Sequence, residues 1–125
     1  MKILKKKIIK AKKGSVMHMY NKKDKILSKV NEVYFSNILP NDIKAWKKTS
    51  SEQFLCVPQG QVLFVLKKNE KFQKIKLGYP FNYKVLYIEP NVWYGFKCIS
   101  KNKAIICNIT SEDNSSSKKI KKNKN

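Results

Sequence analysis

The sequence contains no arginine. All 28 of its basic residues are lysine, set against eight acidic residues and one histidine, for a formal net charge of +20. Such an excess ordinarily points to nucleic acid, acidic lipid or another anionic partner. Arginine, however, is the side chain best suited to bidentate contacts with phosphate and guanine, so its absence argues against base reading. Lysine alongside abundant asparagine and isoleucine is also what an A/T-rich genome imposes on any protein. Cysteine is scarce too. Cys56, Cys98 and Cys107 are odd in number, lie in apolar runs and form no C-x-x-C pair, which excludes a disulfide framework and leaves buried thiols of a reduced, cytoplasmic protein as the expectation. Long apolar runs are missing: the longest, Val62–Leu66, falls far short of a membrane span. The start, MKILKKKIIKAKK, is basic but has no uninterrupted apolar stretch behind it, so secretion is not expected.

Hydrophobic residues make up 42% of the 125, enough for one core in a domain of this size. No segment keeps a helical period with caps; Asp24–Val30 has room for one short turn. Short β-rich runs recur every eight to twelve residues instead, the pattern of a sandwich or barrel. Strands are predicted at Ile3–Ile9, Ser15–Tyr20, Glu32–Leu39, Ile43–Lys48, Gln53–Val57, Gln61–Leu66, Lys71–Leu77, Lys84–Ile88, Trp93–Ile99 and Lys103–Ile109. Pro58-Gln59-Gly60 and Glu89-Pro90-Asn91 read as hairpin turns, with Gly14 and Gly78-Tyr79-Pro80 as further breaks. Residues 1–110 thus form the expected domain. Residues 111–125, SEDNSSSKKIKKNKN, hold one apolar residue and cannot offset their ordering entropy by burial, so a disordered tail is expected there.

Four stretches carry a resemblance: GSVMHMY (Gly14–Tyr20), EVYFSNILPNDIKAWK (Glu32–Lys47), FLCVPQGQVLFVL (Phe54–Leu66) and YIEPNVWYGFK (Tyr87–Lys97). In order and spacing they resemble the nucleotide-sugar epimerase-like cupins related to dTDP-4-dehydrorhamnose 3,5-epimerase. The resemblance implies an all-β jelly-roll, or cupin, barrel of antiparallel strands. It also implies a homodimer and a role in making deoxysugars for surface polysaccharide.

Metal-binding cupins share a motif H-x-H, three residues, E, six residues, G. Counting back from Gly60 puts Gln53 at the Glu position, Thr49 at the second His and Lys47 at the first; Tyr94 stands at the later His. Lys, Thr, Gln and Tyr make no usual zinc, iron or manganese site, so neither metal nor other cofactor is expected. The related epimerases work by acid and base, removing a proton beside a ketone and returning one to the opposite face. Their base, a His, matches Lys47, and their acid, a Tyr, matches Cys107 by ungapped counting. Lys47 and Tyr94 are therefore the catalytic candidates, with Thr49, Gln53, Trp93 and Cys107 as candidates for binding an anionic nucleotide-sugar. The lone His18 lies in a predicted early strand, ahead of the metal-ligand motif, and reads as structural.

Strand alternation places these groups. With Lys47 and Thr49 inward, Ile43 and Ala45 join them, and Lys44, Trp46 and Lys48 face out. Gln53, Leu55 and Val57 face in, and Phe54 and Cys56 face a second layer. Trp46, Phe54 and Phe64 are the candidate patch for pairing two subunits. Three readings stay open: an epimerase or isomerase with altered acid and base, a non-catalytic cupin that binds a sugar nucleotide or a partner enzyme, and a basic nucleic-acid-binding barrel.

Overall fold

In the computed structural model, residues 2–112 and 118–119 are described. Their alternating apolar and polar residues make strands β1 (Lys2–Lys5), β2 (Ile8–Ala11), β3 (Gly14–Met17), β4 (Glu32–Ile38), β5 (Ile43–Lys48), β6 (Gln53–Lys68), β7 (Lys71–Tyr79), β8 (Lys84–Ile88), β9 (Trp93–Cys98), β10 (Ala104–Thr110) and β11 (Lys118–Lys119). The one helical turn among the described residues lies ahead of the expected Asp24–Val30, as a 3-10 turn at Lys22–Asp24 closed at its N-terminus by a capping box between Asn21 and Asp24. The remainder of the expected tail lies outside the described residues.

All pairings are antiparallel. One sheet runs β1-β8-β6-β10-β4, using the first half of β6; the other runs β7-β6-β9-β5-β11, using its second half. The two sheets face each other as a jelly-roll barrel. Their inner faces meet in one apolar core that includes Ile38, Leu55, Val62, Phe64, Leu86 and Ile106. Each such side chain contributes about 1.5–3 kcal/mol when fully buried.

Two segments expected to form hairpin turns do not. Pro58-Gln59-Gly60 does not reverse the chain, because β6 runs straight through it as one 16-residue strand. Proline and a Gly60 held at φ +86° let the strand bend and pass from one sheet to the other. Glu89-Pro90-Asn91 likewise joins strands that do not pair: β8 belongs to the first sheet and β9 to the second. Tight hairpins occur elsewhere: β2 and β3 pair across a two-residue turn, and β6 turns to β7 on Asn69 and Glu70, both at positive φ, a two-residue loop whose twist suits the flanking strands.

The outer face of the first sheet is covered by the N-terminal segment. Phe54, Cys56, Val85, Cys107 and Ile109 pack beneath Leu4, Ile8, Met17, Tyr20 and Leu27, with the Tyr20 and Phe54 rings edge to face at 5.3 Å. The second layer expected for Phe54 and Cys56 is therefore present. All three cysteines are buried free thiols. Phe54 and Phe64 are both fully buried, one in this layer and one in the barrel, so Trp46, Phe54 and Phe64 do not form an outward patch. No helix is long and apolar enough to cross a membrane.

Candidate functional site

Cross-strand partners in a sheet share a face, so register fixes which side chains enter the barrel. On β5 and β9, Ile43 lies opposite Lys97, Lys44 opposite Phe96 and Lys47 opposite Tyr94, which leaves Ala45 and Trp46 together opposite Gly95. This one-residue bulge changes the parity of the strand. Lys47 still faces inward beside Tyr94, as expected, but Ile43 and Ala45 line the outer surface with Trp46, Leu63, Val65 and Lys97. Lys44 shares the inner side with Phe96. Trp93, one residue from inward Tyr94, faces outward beneath the Lys48 ammonium at 5.5 Å, so it is not a group of the barrel interior.

On the first sheet Gln53 and Leu55 point inward as read from the sequence. Thr110 lies opposite both Gln53 and Glu32, and Asn108 lies opposite Tyr34. The alternation that takes Asn108 inward sends Cys107 to the outer layer, where it meets Cys56. Cys107 therefore does not face the barrel, whereas its neighbour Asn108 does. The hydrogen bond between the two thiols lowers Cys107 and raises Cys56 from the ordinary thiol range.

These strands assemble one polar group at the barrel mouth. Asn108 Nδ2 donates to Gln53 Oε1 at 2.7 Å and to the Tyr34 hydroxyl at 2.9 Å. Tyr34 in turn lies close enough to Tyr94 to act on its ionisation. Burial, chiefly, and this second phenol push Tyr94 well above the ordinary tyrosine range, so it is held protonated. Thr49 is buried, but its oxygen accepts the Ser51 N–H at 3.0 Å, which gives it the role of shaping the loop. That loop is fixed from both sides. Ser51 Oγ accepts from the Ser111 and Glu112 amides at 3.0 Å, and Glu52 accepts from Ser28 and, at 2.7 Å, from Tyr87. Burial raises the Glu52 carboxyl, yet these hydrogen bonds outweigh it and hold the group below its ordinary value.

Tyr34, Asn108, Glu32 and Ser36 were not singled out in the sequence; Glu32, Tyr34 and Ser36 alternate along β4, the signal that would have placed them. His18 lies outside the barrel. Its carbonyl accepts the Tyr83 hydroxyl at 2.7 Å, and it lines a shallow basic cavity with Lys5, Lys6, Lys7 and Lys23. Among the described residues no group of three or more His, Cys, Asp or Glu is gathered.

A dTDP sugar isomerase from Desulfovibrio desulfuricans G20 has the same architecture. It superposes at a TM-score of 0.90 with 32% identity, covering 98% of this chain and 84% of that one. The chain belongs to the dTDP-sugar epimerase and isomerase family. The resemblance read from VYFS, KAW, VPQG and VWYGF holds. Two more distant structures share the fold. One is the dTDP-6-deoxy-D-glucose-3,5-epimerase of Legionella pneumophila Philadelphia 1 in complex with dTDP-4-keto-L-rhamnose (TM-score 0.81, 16% identity, 94% of this chain and 71% of that one). The other is a sugar 3,4-ketoisomerase of Thermoanaerobacterium thermosaccharolyticum in complex with TDP (TM-score 0.77, 22% identity, 94% and 85%). No family model and no curated relative matches the chain.

Proposed function

We propose that this dTDP-sugar family member binds a nucleotide-linked 4-keto-6-deoxyhexose in the barrel mouth and moves protons on the carbons beside its ketone, as a 3,5-epimerase or ketoisomerase of deoxysugar synthesis. Lys47 and Tyr94 stand on one sheet and Tyr34 on the sheet facing it, and this two-sided arrangement carries the reading. Inversion at carbon needs a proton removed from one face of the ring and returned to the other. A sugar lying between the sheets presents one face to Lys47 and the other to Tyr34. Lys47, in the position of the family base, takes the proton as the neutral amine and becomes an ammonium; Tyr34 returns one from across the gap and becomes a phenolate. Tyr94, kept protonated by burial, donates a hydrogen bond to the ketone oxygen as enolate charge develops there. Lys, Tyr, Gln and Asn are not a usual metal-binding set, so the proposed chemistry is metal-independent. The work is done in the cytoplasm by a homodimer.

The test is exchange from deuterated water into a dTDP-4-keto-6-deoxyhexose, read by NMR at C3 and C5. Label is expected with the native chain and lost, by 100-fold or more in rate, in both Lys47→Ala and Tyr34→Phe. Absence of exchange in the native chain, with TDP still bound, replaces this reading with that of a non-catalytic sugar-nucleotide cupin.

A further inference from the structure

Among the described residues, three buried side-chain atoms find no hydrogen-bond partner: Glu32 Oε1, Gln53 Nε2 and Asn108 Oδ1. A buried polar atom left unpaired is destabilising, because it gives up water and gains nothing in return. Scattered over a molecule they would mean little. Here all three belong to inward positions of neighbouring strands of one sheet, β4, β6 and β10, with Thr110 of β10 opposite both Glu32 and Gln53. Gln53 is fully buried and Asn108 is 4% exposed.

The two amides also constrain what can satisfy them. They share one hydrogen bond, Asn108 Nδ2 to Gln53 Oε1. Whichever way the pair is turned, that bond uses one amide nitrogen and one carbonyl oxygen, and one donor nitrogen and one acceptor oxygen are left over. A purely apolar ligand, or an anion that only accepts, cannot meet both. A ketone next to a hydroxyl can, since the ketone accepts and the hydroxyl donates. Glu32, an acceptor when ionised, calls for one more hydroxyl beside it.

We infer that Gln53, Asn108 and Glu32 are the specificity residues for the sugar half of the ligand, reading a ketone and the two hydroxyls that follow it along one side of the ring. This rests on the nucleotide-sugar reading above and deepens it by naming which groups recognise the hexose rather than the nucleotide. The ketone accepts from Gln53 Nε2, a neighbouring hydroxyl donates to Asn108 Oδ1, and the next donates to Glu32 Oε1. Because the three atoms are closed off from solvent, the sugar reaches them by turning aside the half-buried Tyr34 side chain, whose hydroxyl now accepts from Asn108. Sugar entry is thereby coupled to movement of a group proposed to handle the proton.

Binding of TDP and of a dTDP-4-keto-6-deoxyhexose to the full chain, measured by calorimetry, separates the two levels. The native chain is expected to bind the sugar nucleotide more tightly than TDP. Gln53→Leu combined with Asn108→Leu removes both unpaired atoms together with their mutual bond. It is expected to hold TDP within twofold of native while losing tenfold or more for the sugar nucleotide. Gln53→Glu, close in shape and without the free donor, is expected to show the same selective loss and serves if the double variant does not fold. Sugar-nucleotide affinity unchanged in these variants overturns the inference, as does equal loss for both ligands. A native chain that binds TDP but gains nothing from the hexose overturns it while leaving the nucleotide reading intact. If the native chain binds neither ligand, the nucleotide-sugar reading itself fails, and this inference with it.

Discussion

Tyr94 faces the barrel interior from β9. Its inward direction follows from the strand, but its protonation state follows from burial and from Tyr34 on the facing sheet. A phenol raised above its ordinary value of 10 in the folded chain alone supports folding fully below that pH and ceases to do so as pH climbs beyond it. Stability measured by urea denaturation should therefore fall above pH 10, and Tyr94→Phe should flatten that fall. Tyr83 and Tyr87, raised mainly by burial, keep part of it in place. An alkaline limb identical in Tyr94→Phe and the native chain would contradict the assignment. Cys107 lies in the outer layer beside Cys56, because ungapped counting along a strand carries no information on which side a residue takes.

Elements were legible where their signals were local. Ile43–Lys48 and Lys84–Ile88 match β5 and β8 end to end, because clear breaks bound them: Pro40-Asn41-Asp42 and Thr49-Ser50-Ser51 around the first, Pro80 and Pro90 around the second. The bulge in β5 was not legible, since nothing in IKAWKK marks a doubled residue; it is set by what lies opposite. Gly95 is that residue. A Cβ built there would come within 2.6 Å of Ala45 Cβ and 3.1 Å of the Lys44 carbonyl, so the bulge fits because position 95 has no side chain. Gly95→Ala should destabilise the fold by about 1–3 kcal/mol, seen as a lowered midpoint in urea, whereas a neutral result would show that β5 can move away. The bend in β6 was hidden for a related reason: Pro-x-Gly serves a reversal and a change of sheet equally well, and only the partners of Gln53–Leu55 and Val62–Lys67 decide between them.

For the molecule as a whole, lysine so outnumbers acid that the described ion pairs, among them Lys6–Asp24 and Lys68–Glu89, leave most cations facing other cations. Salt screens that repulsion over about 10 Å at 0.1 M. The melting temperature should rise as sodium chloride is raised from low to moderate concentration, and one that falls or stays level would show that the net charge does not weigh on the fold.

The 16-residue strand β6 has one more effect. It is the seam of both walls, so neither wall can swing open without tearing the same stretch of backbone from the other. The space between them cannot breathe as a clam shell does. Whatever enters must come past the rim, and the pace of entry is set by individual side chains there, with β6 amides the last to exchange with solvent.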